Sequence, residues 1–139
     1  MDSCLFCRIV SGELPATIVY EDDDSVAFLD HRPLFPGHTL LIPREHVETL
    51  GDLPAKNVGP YFEAAQLLSR VVESAMEAEG TFVAMNNRVS QSVPHLHVHV
   101  VPRRKKDGLK GFFWPRQKYR DSEHLEATRA SLARIMNEM

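Results

Sequence analysis

The run Pro94-His95-Leu96-His97-Val98-His99-Val100-Val101 limits this chain more than any other stretch. A β-strand sends successive side chains to opposite faces. Read as a strand over His95 to Val101, the segment places its three imidazoles on one side and Leu96, Val98 and Val100 in the core. One strand histidine says little, but three at a spacing of two form an array of titratable groups that packing alone does not favour. Two chemistries use such an array. In metal binding, an HxH pair supplies two of the three ligands a catalytic zinc needs. In nucleophilic catalysis, a neutral imidazole attacks phosphorus while a neighbour fixes its tautomer or protonates the leaving group. The preceding residues, Gln91-Ser92-Val93, favour the second chemistry, because they offer polar groups suited to phosphate oxygens where a catalytic zinc would want an Asp or a further His.

The rest of the pattern sets that strand in a sheet. Thr17 to Glu21 and Ser25 to Leu29 are β-prone runs about the acidic turn Asp22-Asp23-Asp24, and so read as a hairpin. Pro33 and Pro36-Gly37 break the chain, and His38 to Pro43 is an almost wholly apolar third strand that delivers Arg44-Glu45-His46 to a loop. From Pro60, a favoured first helical residue, Tyr61, Ala64, Ala65, Leu68, Val71, Val72, Ala75 and Met76 follow helical spacing towards Gly80. Thr81 to Met85 is a fourth strand and His95 to Val101 the fifth, joined by the loop Asn86 to Pro94. Leu125, Leu132, Ile135, Met136 and Met139 suit an amphipathic C-terminal helix capped by Asp121 or Ser122. The class is α+β with a mainly antiparallel sheet, and 139 residues without repeats or linkers make one domain, 1–139.

Composition closes off other classes. No window approaches the ~18 apolar residues of a membrane span, and the first residues leave no room for a signal peptide, so a cytoplasmic location is expected. There a disulfide between the only cysteines, Cys4 and Cys7, is not expected, and their CxxC needs another use. The net charge of −3 is uneven: Pro102 to Arg120 holds eight Lys or Arg against Asp107 alone. That stretch is either solvated surface or a rim that attracts phosphate.

The chain resembles the histidine-triad (HIT) family, whose signature of three histidines alternating with apolar residues is matched from His95 to Val101. CLFCRIVSGELPA, YEDDDSVAFLD, PGHTLLIPREHVETL and HLHVHVVPR are similar to bacterial members, so the likeness covers nearly the whole chain. It implies the HIT fold, a five-stranded mainly antiparallel sheet with one long helix, here followed by a C-terminal helix, in a homodimer. It implies that His97 is a nucleophile that becomes transiently nucleotidylated, cleaving a purine nucleoside 5'-phosphoryl compound at its α-phosphate. His99 then resembles the histidine at the phosphate or bridging oxygen, His38 one that buttresses the triad, and Gln91 and Ser92 the pair that brackets the leaving group.

Asp30 resembles the acid that binds ribose hydroxyls, and Leu5, Phe6, Ile9, Phe28 and Leu29 fall where the family lines its purine pocket. The phosphate-binding asparagine is Asn86, with Asn87 the alternative, because the loop before the triad is shorter than usual and lacks the common glycines. Phe112-Phe113-Trp114-Pro115-Arg116 has no clear equivalent, and reads as a specificity tail or a packed strap. Cys4 and Cys7 with His46 and His95 make a Cys2His2 set, the composition of a closed structural zinc site, which some bacterial members resemble. Hydrolysis of phosphoramidates, hydrolysis or phosphorolysis of dinucleoside polyphosphates (Ap3A, Ap4A), and a non-catalytic nucleotide- or nucleic-acid-binding module remain open. A nucleic-acid partner is the least favoured of these, since the triad is intact.

Overall fold

The computed structural model describes residues 3–109 and 116–139. Phe112, Phe113 and Trp114 lie outside the described residues. The chain falls into two compact units, Met1–Asp107 and Gly108–Met139.

The first unit is built on an antiparallel five-stranded sheet in the order β1-β2-β3-β5-β4, from β1 (Ile18–Glu21), β2 (Ser25–Leu29), β3 (Thr39–Pro43), β4 (Gly80–Ala84) and β5 (Val98–Arg103). This is the expected α+β architecture. The hairpin β1-β2 closes as anticipated, with the Asp22 carboxylate accepting from the backbone N–H groups of Asp24 and Ser25 across the acidic turn. β2 and β3 pair without a bulge from Ser25 opposite Pro43 to Leu29 opposite Thr39. β3 is buried at all five positions, as its apolar run implies.

Alternation sorts the two faces. Ala27, Leu41, Val98 and Val100 pack with Leu96 against α2 (Ala55–Ala75), whose buried seam is Tyr61, Ala64, Ala65, Leu68 and Val72. Val26, Phe28, Leu40 and Ile42 pack on the other face against Cys4 and Phe6 of the short segment that carries α1 (Leu5–Val10).

Three details differ from expectation. α2 begins at Ala55, so Pro60 is its sixth residue rather than its first. Its missing N–H forfeits one bond near the helix start, and the exposed ring is tolerated there. Val71 falls outside the buried seam at 41% exposure, about 100° around the helix from Val72. The helix stops at Ala75 because Glu77 adopts φ 51, a left-handed turn that leads straight into β4. The third concerns the triad strand. Its ladder starts only at Val98, so His95 and His97 sit on the approach to β5, held by the Leu96 N–H donating to the Val47 carbonyl at 2.8 Å.

One glycine is constrained. Gly37, at φ +99, ends the turn before β3, and a Cβ there would lie 2.6 Å from Cγ of Met76, the residue that caps α2.

In the second unit α3 (Ser122–Glu138) is capped by Asp121, whose carboxylate accepts from the His124 N–H at 2.8 Å. Of its expected apolar stripe, Leu125, Leu132, Ile135 and Met136, with Met139 just beyond, are all exposed.

Candidate active site

Each histidine of the triad has its tautomer fixed by a different partner. His97 is buried, and its Nδ1 lies 2.8 Å from the carbonyl of His95. A carbonyl only accepts, so Nδ1 carries the proton and Nε2 keeps its lone pair. His38, also buried, takes a hydrogen bond from the Leu34 N–H on Nδ1 at 3.1 Å. Its Nε2–H therefore donates to His99 Nδ1 at 3.0 Å, which leaves His99 with its own proton on Nε2. One ring thus offers a lone pair and its neighbour, 5.0 Å away between centroids, an N–H. This pairing suits attack on phosphorus beside a developing negative charge.

Burial favours the neutral form of His38 and His99. It pulls the pKa of His99 down to about 4, with the charges of His97 and His38 adding to the effect and Asp30 opposing it. Burial lowers His38 as well, again against Asp30. The Asp30 carboxylate stands 3.7 Å from His38 Nε2, and its other oxygen accepts the Arg32 N–H. It is therefore placed beside the triad, at the turn that joins β2 to β3.

Of the expected pocket residues, Phe6 and Phe28 meet edge to face at 5.4 Å, and Phe6 also lies edge-on to His97 at 5.1 Å. Ile9 packs against the same cluster, whereas Leu29 is 38% exposed and Leu5 49%. Ser92 is exposed. Gln91 spends both ends of its amide on the loop, donating to the Glu48 carbonyl at 2.7 Å and accepting the Arg88 N–H at 2.8 Å. The Asn87 side-chain oxygen accepts the Leu50 N–H at 2.8 Å, while Asn86 donates across its own loop to the Ser90 carbonyl. Sequence reasoning missed these braces and the Leu34 N–H, because each joins a side chain to backbone and leaves no residue-type signal.

Cys4, Cys7, His46 and His95 converge beside the triad, with one ligand atom from each within 4.8 Å of the others. Cys7 Sγ is 3.2 Å from His46 Nδ1, Cys4 Sγ is 3.5 Å from His95 Nδ1, and the two Nδ1 atoms are 3.2 Å apart. A zinc tetrahedron with bonds of about 2.0–2.3 Å has edges of about 3.3–3.8 Å, so the spacing fits. The ring orientation fits too. His95 Nε2–H donates to the Pro43 carbonyl at 2.8 Å, which turns a bare Nδ1 towards the cysteines in the manner of a ligand histidine held from behind. Burial, then the hydrogen bond and charge of Cys4, pushes the Cys7 thiol up to about 11. A second group, Asp30, His38 and His99, brings its ligand atoms equally close together. Its His38–His99 bond already uses the facing nitrogens.

A sheet of this order with three alternating histidines at the head of β5 defines a histidine-triad protein. The HIT domain profile matches residues 11–106, and the chain belongs to the HIT family. It is 36% identical over 115 residues to "Protein hit" of Bacillus subtilis, covering 81% of this chain and 79% of that one. It is 31% identical over 146 residues to an adenosine 5'-monophosphoramidase of Candida albicans, covering 98% and 95%. An adenylylsulfatase of Arabidopsis thaliana is 34% identical over 110 residues, covering 78% of this chain and 56% of the plant protein. Among solved structures, a Streptococcus mutans protein superposes with a TM-score of 0.89 at 34% identity, covering 98% and 87%. A zinc-bound histidine triad protein from Mycobacterium smegmatis superposes at 0.73 with 37% identity over 99% of both chains.

Proposed function

We propose that the chain is a nucleotide hydrolase or transferase that cleaves a purine nucleoside 5'-phosphoryl compound at its α-phosphate through a nucleotidyl-His97 intermediate. The observation that carries the reading is the bond from His97 Nδ1–H to the His95 carbonyl, which leaves Nε2 as a positioned lone pair in a buried ring. For a phosphoramidate, the Nε2–P bond forms as the P–N bond breaks, with His99 Nε2–H and Ser92 beside the departing group. Water then displaces Nε2 from phosphorus. In sum one water is consumed and the products are the nucleoside monophosphate and the ammonium form of the amine. Asp30 binds the ribose diol, Phe6, Ile9, Phe28 and Leu29 receive the base, and Asn86 serves the phosphate.

A phosphoramidate suits the site better than a dinucleoside polyphosphate. Arg103 to Lys106 lie at the far end of β5, roughly 20 Å from His97 by strand rise, with Arg103 bound to Asp107. That end of the basic stretch offers no grip on extra phosphates next to the triad. The Cys4, Cys7, His46 and His95 set would hold a structural zinc, filling all four positions and supplying cross-linking rather than chemistry. A homodimer is supported by the edge strand β4. The flank of α2 nearest it, marked by Ser69 Oγ 2.8 Å from Thr81 Oγ1, exposes Val58 and Phe62, and β4 itself exposes Val83.

The test is rapid quenching with α-labelled adenosine 5'-phosphoramidate, with Ap3A and Ap4A in parallel. Acid-labile label on the wild type and none on His97→Ala is the expected result. His97→Ala should lose at least about 10³-fold in kcat while still binding AMP. Near-normal turnover by His97→Ala would overturn the mechanism.

A further inference from the structure

Next to the triad loop is a cavity of about 490 Å3, lined by Ser3, Leu5, His46, Glu48, Ser92 and Val93 among others. Its position follows from the backbone. Residues 47 to 50 are pinned to the loop that leads into the triad by three hydrogen bonds: Leu96 N–H to the Val47 carbonyl, Gln91 Nε2 to the Glu48 carbonyl, and Leu50 N–H to Asn87 Oδ1. The first two bracket Ser92 in sequence. Glu48 therefore stands on a fixed strip of backbone and lines the same cavity as Ser92, which the mechanism proposed above sets beside the leaving group.

The lining has a definite chemistry. The Glu48 carboxylate makes no hydrogen bond or ion pair among the described residues, although its backbone carbonyl is bound by Gln91. No Lys or Arg is among the described residues lining the cavity. Leu5, Val93 and Pro94 give it an apolar wall. A carboxylate at one end of an apolar wall attracts an alkyl chain that ends in a cation, and repels a further phosphate.

We propose that this cavity is the subsite for the leaving group, and that Glu48 selects amines bearing a second, distal ammonium over neutral amines and over phosphate-extended leaving groups. This rests on the nucleotidyl-histidine reading above and names the substrate class of that same site. During transfer the P–N bond breaks as the His97 Nε2–P bond forms, and the amine leaves with its distal ammonium on Glu48. The chemical step is the same for both kinds of amine. Glu48 changes which leaving group is held in line.

The experiment compares two adenosine 5'-phosphoramidates of equal chain length, one made from 1,4-diaminobutane and one from pentylamine, together with Ap4A. The wild type should favour the diamine compound by about fivefold in kcat/KM, the size of one partly exposed ion pair, and the preference should shrink as salt is raised. In Glu48→Gln the ratio should fall to about one, and in Glu48→Lys below one. These substitutions leave the backbone carbonyl that Gln91 binds in place. A ratio equal in wild type and Glu48→Gln, or Ap4A turned over faster than either amine compound, overturns the subsite assignment while the covalent mechanism stands. No turnover of any compound by the wild type overturns the mechanism, and the subsite with it.

Discussion

The carbonyl of His95 decides which nitrogen of His97 keeps its lone pair, and the N–H of Leu34 does the same for His99 through His38. His38→Ala should therefore release the His99 ring and let its two tautomers interchange. We expect kcat to fall on the order of 10–100-fold with a smaller change in KM, checked by steady-state kinetics on the phosphoramidate. The same burial makes stability depend on pH. His99 sits near 4 and His38 below its ordinary 6.5, so the unfolded chain takes up protons that the folded chain refuses. Stability should be full above about 6.5 and be lost as pH falls through about 4. Thermal melts across that window should show the loss, with a shallower slope in His99→Gln. A melting temperature flat across the window would contradict the neutral-ring assignment. At this scale the sequence showed residue types well and their partners poorly. Three histidines at a spacing of two, and the Cys4-x2-Cys7 pair, could be seen without coordinates. The Leu34 N–H could not, because it is a backbone donor within a turn, and neither could the Glu48 carboxylate and the Gln91–Glu48 brace, which depend on loops brought together across a long separation.

Among elements, β2 was legible to its end residues because both its β-prone run and its acidic turn are local. The start of α2 was misread for an equally local reason. Pro60 has the chemistry of a first helical residue, and only the packing of the following turns shows that the helix begins at Ala55. The approach to β5 reads as strand because its alternation persists, yet the Leu96 N–H bonds the Val47 carbonyl and the ladder with β3 begins only at Val98. α1 is too short to hold itself, at six residues, and is anchored by Cys4 and Cys7 towards His46 and His95. Protein purified without added zinc should contain the metal in stoichiometric amount. The Cys4→Ser, Cys7→Ser double variant should lose it and melt lower by on the order of 5–10 °C, with reduced turnover as Phe6 shifts against His97. Metal-free wild type with full activity and an unchanged melting temperature would remove the cross-link from the account.

For the molecule as a whole, β4 stands at one end of the sheet order, and an end strand is where a second chain can associate. Val83 on that edge, with Val58 and Phe62 on the adjoining flank of α2, gives the edge an apolar border. Phe62→Glu should convert a dimer to a monomer in sedimentation velocity, while circular dichroism stays unchanged. A wild type that sediments as a monomer at all concentrations would show that the border serves something else. The contact at Gly37 has a different kind of consequence. The glycine joins the turn before β3 to the cap of α2 at φ +99, where any other residue is strained and its Cβ would push the Met76 side chain aside, and it immediately precedes His38. A Gly37→Ala allele would strain the turn and crowd Met76 at once, displacing the histidine that orients the triad before it unfolds the sheet. In a genetic screen such a change would surface as a conditional mutation, tolerated in the cold and lost with warming. A heat-sensitive position would then be one that carries no functional group at all.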